Sequence, residues 1–161
     1  MDSELDSLLE KTHSFSLDML KLSYQESIPS DLALPTSFWK SYGDEKLAIG
    51  LHACLAIWVT SGKKIVPNKF QLTATISLMS GQDTLVDVGT GYGKTLCIII
   101  PCLLDSPGLI SVVISPLKRL QAVQVLEFEC YGINTVAINE DTPNDPELWK
   151  VWSLVDFSGC F

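Results

Sequence analysis

The sequence predicts an α/β protein, a parallel sheet with crossover helices, preceded by an α-helical N-terminal segment. Three observations lead to that class. From Pro67 onward short apolar runs alternate with helical stretches, and the first strand runs into a glycine-rich turn, Gly89-Thr90-Gly91-Tyr92-Gly93-Lys94-Thr95. The residues before about 62 show helical periodicity alone. A β-α-β-α-β order of this kind calls for parallel strands joined by right-handed crossovers.

Taken in chain order, residues 2–22 place Leu5, Leu8, Leu9 and Leu20 at amphipathic spacing, with Ser3 and Asp6 as a weak capping box. Pro29 and Pro35 frame a polar break. Leu47, Leu51, Cys54, Leu55 and Trp58 then predict a helix over 44–59, closed by Ser61-Gly62. A further helix is expected from Pro67 to Ser80, stopped by Gly81, and Thr84 to Val88 reads as the first strand. A helix from Lys94 to about Leu104, a strand over 109–114, a helix over 117–129 and a third strand over 135–138 complete the pattern. The expected division is a helical appendage (1–62), a partial nucleotide-binding domain (63–150) and a divergent tail (151–161).

The net charge of -8 belongs to the ends. Residues 1–48 carry 9 acidic and 4 basic side chains, residues 49–135 carry 5 and 6, and residues 136–161 carry 5 and 1. That balance argues against a free-standing, non-specific nucleic-acid binder, which needs many Lys and Arg contacts to phosphate. Five cysteines without a C-x-x-C pair indicate free thiols in a reducing compartment, and no zinc site is expected. The acidic N-terminus has no signal-peptide pattern, and the longest apolar run, Leu47 to Thr60, has the length of a core helix. A nuclear or otherwise intracellular location without membrane contact is expected.

The glycine turn carries the chemistry. Glycines let a backbone curl around an anion, and exposed N–H groups at a helix start then point at it. Lys94 would reach the β and γ phosphates of ATP, and the Thr95 hydroxyl would ligate Mg²⁺. The full phosphate-loop pattern has glycine where Val88 stands. A tight turn with an incidental lysine is the plain alternative.

Two flanking elements narrow the class: Phe70-Gln71 ahead of Gly81-Gln82-Asp83 and the first strand, and Ser115-Pro116-Leu117-Lys118-Arg119-Leu120 directly after the second. With the loop between them, residues 65–150 resemble RecQ-like DNA helicases of superfamily two, in the first RecA-like lobe of the P-loop NTPase fold. In that family a glutamine precedes the loop lysine by the same interval, and an apolar residue is tolerated at the position of Val88. The resemblance implies that Gln71 hydrogen-bonds the adenine edge, with Phe70 packing nearby, and that Thr90, Gly91, Tyr92, Gly93, Lys94 and Thr95 hold ATP-Mg²⁺. Lys94 and Thr95 would be the catalytic pair. It also implies that Ser115, Lys118 and Arg119 touch the phosphates of single-stranded DNA in a 3′-to-5′ unwinding motor. Ser115 with a polar first turn is equally a helix start, and Val123 stands where the family has Asp.

Other residues read more plainly. Glu140-Asp141 could imitate a magnesium-holding acidic pair, but Asn139 and the turn-rich Thr142-Pro143-Asn144 make it a loop. His13 and His52 are isolated in the sequence, neither with a Cys, Asp or Glu at a metal-ligand spacing that repeats, and His52 reads as a core or groove residue. Trp149 and Trp152 could stack bases, though a tail packed on the core explains them as well. The family's Asp-Glu box, its second lobe and its arginine finger are not found, and Arg119 is the only arginine. The expectation is therefore a truncated helicase that does not hydrolyse ATP by itself. A small-molecule P-loop kinase is the alternative enzyme, disfavoured by a single arginine. A vestigial, non-catalytic interaction module is the third reading.

Overall fold

In the computed structural model, residues 15–105 and 110–142 are described. They form α1 (Leu17–Ser27), α2 (Thr36–Trp39), α3 (Asp44–Thr60), α4 (Lys69–Met79), α5 (Leu96–Leu104) and α6 (Lys118–Cys130). The core is built around α3, whose residues 50, 51 and 53 to 58 are all buried. A helix apolar around most of its circumference must be covered on several sides. Here α1, α4 and α5 supply the cover, so side chains from both sides of residue 62 share one core.

The ends of the helices follow local chemistry. Asp44 and Glu45 occupy the first turn of α3, where the helix dipole favours negative charge. At its C-terminus Gly62 takes φ +65°, its N–H donates to Val59 O (3.1 Å), and the Lys63 N–H donates to Trp58 O (2.7 Å). This paired pattern is the Schellman closure, which needs a left-handed residue just past the helix. It repeats after α4, where Gly81 and Gln82 bond back to Leu78 and Ser77, and after α6 at Gly132 and Ile133.

Near the N-terminus residues 2–14 of the expected helix lie outside the described residues, and α1 covers its end. Helix α1 begins after Ser16, whose hydroxyl accepts from the Met19 N–H (3.4 Å), and continues past residue 22 to Ser27. The extension buries Leu20 and Tyr24, one turn apart, against the core. The capping box at Ser3 and Asp6 lies outside the described residues, as do His13, Trp149, Trp152 and Cys160. Between the two prolines the Tyr24 hydroxyl accepts from the Leu34 N–H (3.0 Å), and the short α2 brings Trp39 edge-on to Tyr24 at 5.7 Å.

At the three expected strands no β-ladder forms among the described residues, and Leu109 lies outside them. Leu85 is 96% exposed and Ile114 93%, although strands inside a parallel sheet are covered on both faces. Val86 and Val88 alternate with the exposed Leu85 and Asp87, so one side of this segment leans on the helices and the other does not.

At Gly50 the helical core leaves no room for a side chain. A Cβ there would lie 2.7 Å from Trp39 Cζ3 and 3.2 Å from Ile76 Cδ1. Alanine in a helix interior gains about 1 kcal/mol over glycine, whereas overpacking costs roughly 1–3 kcal/mol. Gly50→Ala is therefore expected to lose about 1 kcal/mol in urea unfolding, and adding Trp39→Leu, which trims the obstructing ring, should return part of that loss.

Candidate nucleotide-binding site

The loop sits between the extended segment ending at Val88 and the start of α5. Gly91 and Gly93 have φ of +84° and +75°, conformations in which a side chain would be strained. A Cβ at Gly89 would meet the Tyr92 ring at 3.2 Å, and one at Gly93 would meet Gln71 Nε2 at 3.0 Å. Two of these glycines are thus favoured by backbone conformation, and at Gly89 a side chain would have to displace the exposed Tyr92 ring. Tyr92 itself is exposed, as is Thr90.

Lys94 turns back on the loop: its ammonium donates to Val88 O and Gly89 O, each at 2.8 Å. The Gly91, Gly93, Lys94 and Thr95 amides have no hydrogen-bond partner among the described residues. Helix α5 begins at Leu96, two residues later than expected, because Leu96 N–H and Cys97 N–H bond to the third residue back, Gly93 O and Lys94 O (3.2 and 2.9 Å). Such a tight first turn leaves Lys94 and Thr95 outside the helix proper. Thr95 makes no capping bond through its hydroxyl. An ammonium, several open amides and a hydroxyl at one helix start form a chemical set suited to a phosphate group and its magnesium ion.

Gln71 proves more constrained than a solvated helix-start residue. It is 3% exposed, and it is the third residue of α4 in a complete capping box. Its Oε1 accepts from the Asn68 N–H (2.8 Å), while Asn68 Oδ1 accepts from the Gln71 N–H (3.3 Å). Its Nε2 donates to Gly93 O (2.8 Å), which ties α4 to the loop across 22 residues of sequence. These partners fix which way the amide faces, and they leave its second N–H and second oxygen lone pair uncommitted. The capping signal was present in Asn68-x-x-Gln71, but nothing in sequence spacing reveals the bond to Gly93.

The second element lies across a shared cavity of about 610 Å³, whose lining includes Lys94, Cys97 and Cys102 on one side and residues 111 to 114 on the other. Helix α6 starts at Lys118 with Leu117 as its cap and no side-chain cap bond, so Ser115 is not the helix cap. Its hydroxyl is buried without a hydrogen-bond partner among the described residues. Arg119 is exposed, and Val123 is half exposed on the same helix. Lys118, by contrast, forms salt bridges with Glu140 and with Asp141 (2.6 Å). Asp141 and then Glu140 hold its ammonium above the usual lysine range. Glu140-Asp141 does lie in a turn, as expected, but as the partner of Lys118. Sequence reasoning missed Gln121 and Asn139, whose side chains join this turn to α6 through a 3.0 Å bond.

Among the described residues no three His, Cys, Asp or Glu side chains gather as metal ligands, and no helix is long and apolar enough to cross a membrane. Cys54, Cys97, Cys102 and Cys130 are free thiols, and burial pushes Cys54 and Cys97 up from the ordinary cysteine value. The Gln71 bonds supply the sharpest test of this geometry. Gln71→Leu strands the Asn68 N–H and removes one of the two donors to Gly93 O, at a cost of about 1–3 kcal/mol. Thermal melting should register that loss, and limited proteolysis should cut faster within 89–93; unchanged cleavage would show that the latch does not hold the loop.

The family model for DEAD/DEAH box helicases matches residues 68–153, just over half of the chain. A Caenorhabditis briggsae protein that carries the name of ATP-dependent DNA helicase Q1 is 36% identical over 96 residues, covering 55% of this chain and 15% of that one. The RecQ-like DNA helicase blm-1 of Caenorhabditis elegans is 31% identical over 105 residues, 63% of this chain and 10% of its own length. A protein of Acanthamoeba polyphaga mimivirus that carries the name of ATP-dependent RNA helicase R290 is 32% identical over 85 residues, 52% and 15% of the respective chains. The chain thus spans only 10 to 15% of the length of these relatives. No solved structure matches it significantly. With the match running from the cap of α4 beyond the turn that follows α6, this chain belongs to the DEAD/DEAH box helicase family and is similar to its RecQ-like members.

Proposed function

We propose that residues 89–95 bind ATP-Mg²⁺ as part of a RecQ-like 3′-to-5′ DNA helicase, and that Ser115, Lys118 and Arg119 face the phosphates of single-stranded DNA. The observation that carries the reading is the Lys94 ammonium resting on the Val88 and Gly89 carbonyls beside the open amides of the loop. Those two neutral acceptors hold the ammonium beside the anion position, and a polyphosphate, being charged, competes with them favourably. The unbonded Thr95 hydroxyl suits a magnesium ion that takes most of its other oxygens from phosphate and water. Gln71 has an N–H and a lone pair left for the adenine edge while its other bonds hold Gly93, so base recognition and loop position are joined in one side chain. The parallel RecA-like sheet, with 84–88, 109–114 and 135–138 as strands and 1–62 as an appendage, belongs to the same proposal. ATP turnover needs a carboxylate to orient water. Glu140 and Asp141 are engaged with Lys118, so the chain by itself binds ATP without hydrolysing it. Such a function belongs in the nucleus or another intracellular compartment that holds DNA.

Nucleotide titration with a fluorescent ATP analogue tests this directly. Lys94→Ala is expected to weaken binding at least tenfold, or about 1.4 kcal/mol. Thr95→Ala should abolish the gain from added Mg²⁺, and Gln71→Ala should narrow the preference for ATP over GTP. Absence of nucleotide binding by the unaltered chain would leave a non-catalytic interaction module, and phosphorylation of a small acceptor with indifference to Gln71→Ala would point to a kinase. Tighter binding of oligo(U) than of oligo(dT) would move the nucleic-acid assignment from DNA to RNA.

A further inference from the structure

Lys118 and Arg119 are adjacent in sequence, yet only one of them is in use. The Lys118 ammonium has three N–H donors, and two are engaged by Glu140 and Asp141. Arg119 is exposed and has no ion pair among the described residues. The acidic pair is not brought to Lys118 by loose side chains. Its turn is closed by Thr142 Oγ1 accepting from the Asn139 N–H (2.8 Å), Asn139 Oδ1 accepting from the Asp141 N–H (3.0 Å), and Asn139 O accepting from the Thr142 N–H (3.0 Å). The Asn139 Nδ2 then donates to Gln121 Oε1 (3.0 Å), and Gln121 Nε2 donates to Ser115 O (2.8 Å). Lys118 and Gln121 are three residues apart and share one face of α6. One face of the helix therefore fixes both the turn and the carboxylates it presents.

We propose that Glu140 and Asp141 act as an internal substitute for nucleic-acid phosphate, holding the Lys118 ammonium so that single-stranded DNA engages this element only by displacing them. Two carboxylates side by side offer an ammonium the same anionic oxygens as a phosphodiester, at a site where DNA would otherwise be its partner. The consequence is a built-in threshold: Arg119 is open to DNA at once, and Lys118 joins after the acidic turn is moved aside. Gln121, bonded both to Asn139 and to Ser115 O, couples that turn to the start of the element. This inference rests on the proposed DNA-facing role of Ser115, Lys118 and Arg119.

The test uses the full chain and a fluorescent oligo(dT), with affinity read by anisotropy over a salt series. Glu140→Gln with Asp141→Asn should bind about fivefold tighter, in keeping with the modest worth of exposed ion pairs. One added phosphate contact should also steepen the salt dependence by about 0.7 in the logarithmic slope for a single strand. Lys118→Ala should change little in the unaltered chain and remove the whole gain in the neutralised one. Glu127→Gln with Glu129→Gln makes the same charge change at the far end of α6 and should gain less. The proposal falls if the neutralised chain does not exceed that control, or if its gain survives Lys118→Ala. If Arg119→Ala weakens binding while neutralising the acidic turn does nothing, the DNA-facing reading stands and the threshold alone is wrong. If no variant binds and Arg119→Ala is silent, both are wrong.

Discussion

The structure depends on α3 being apolar around most of its circumference. A helix so nearly surrounded by Ala, Leu, Ile, Cys and Trp side chains has no water-facing solution, and α1, α4 and α5 are held where they are by covering it. Gly50 and Trp39 mark a close approach of that cover, where helix and aromatic ring meet with no room for a methyl group. Placing α4 and α5 against one helix also sets the distance between them. The glycine loop must connect to α5 while Gln71 reaches it from α4.

Gln71 turns that packing into chemistry. Its amide is shared between the cap of α4 and the Gly93 carbonyl, so the start of one helix and the loop before another form one hydrogen-bonded unit. A glutamine can do this because it carries both a donor and an acceptor on one planar group. Burial makes the arrangement consequential: an unsatisfied amide would be costly at 3% exposure, so the side chain has little freedom to leave the loop. The lysine of the loop is held differently, by two exposed carbonyl contacts that a charged ligand can replace.

Much of the helical layer was legible because its signals are local. Helices α3 and α4 and their glycine closures follow from spacing and from Gly62 and Gly81. The run of α1 past residue 22 to Ser27 and the late start of α5 were not legible, since the first depends on Leu20 and Tyr24 finding the core and the second on Leu96 and Cys97 bonding to Gly93 and Lys94. At the site, the loop residues and Gln71 could be singled out in the sequence. The second bond of Gln71, the withdrawal of Ser115 from the helix cap and the pairing of Lys118 with Glu140 and Asp141 join residues 6 to 23 positions apart, and no periodicity reports them.

By itself, the sequence determined local conformation and the chemical inventory: where glycine permits a left-handed turn, which helix is too apolar to face water, and that a lysine and a threonine follow a glycine loop. These are short-range properties, settled by sterics and hydrogen bonding within a few residues. Tertiary structure alone decided which polar groups share partners. It made Gln71 a brace for the loop, gave Lys118 to an acidic turn and left Arg119 open. Among the described residues the expected strands form no ladder, and such pairing is beyond the reach of local sequence because it is non-local and requires a neighbour.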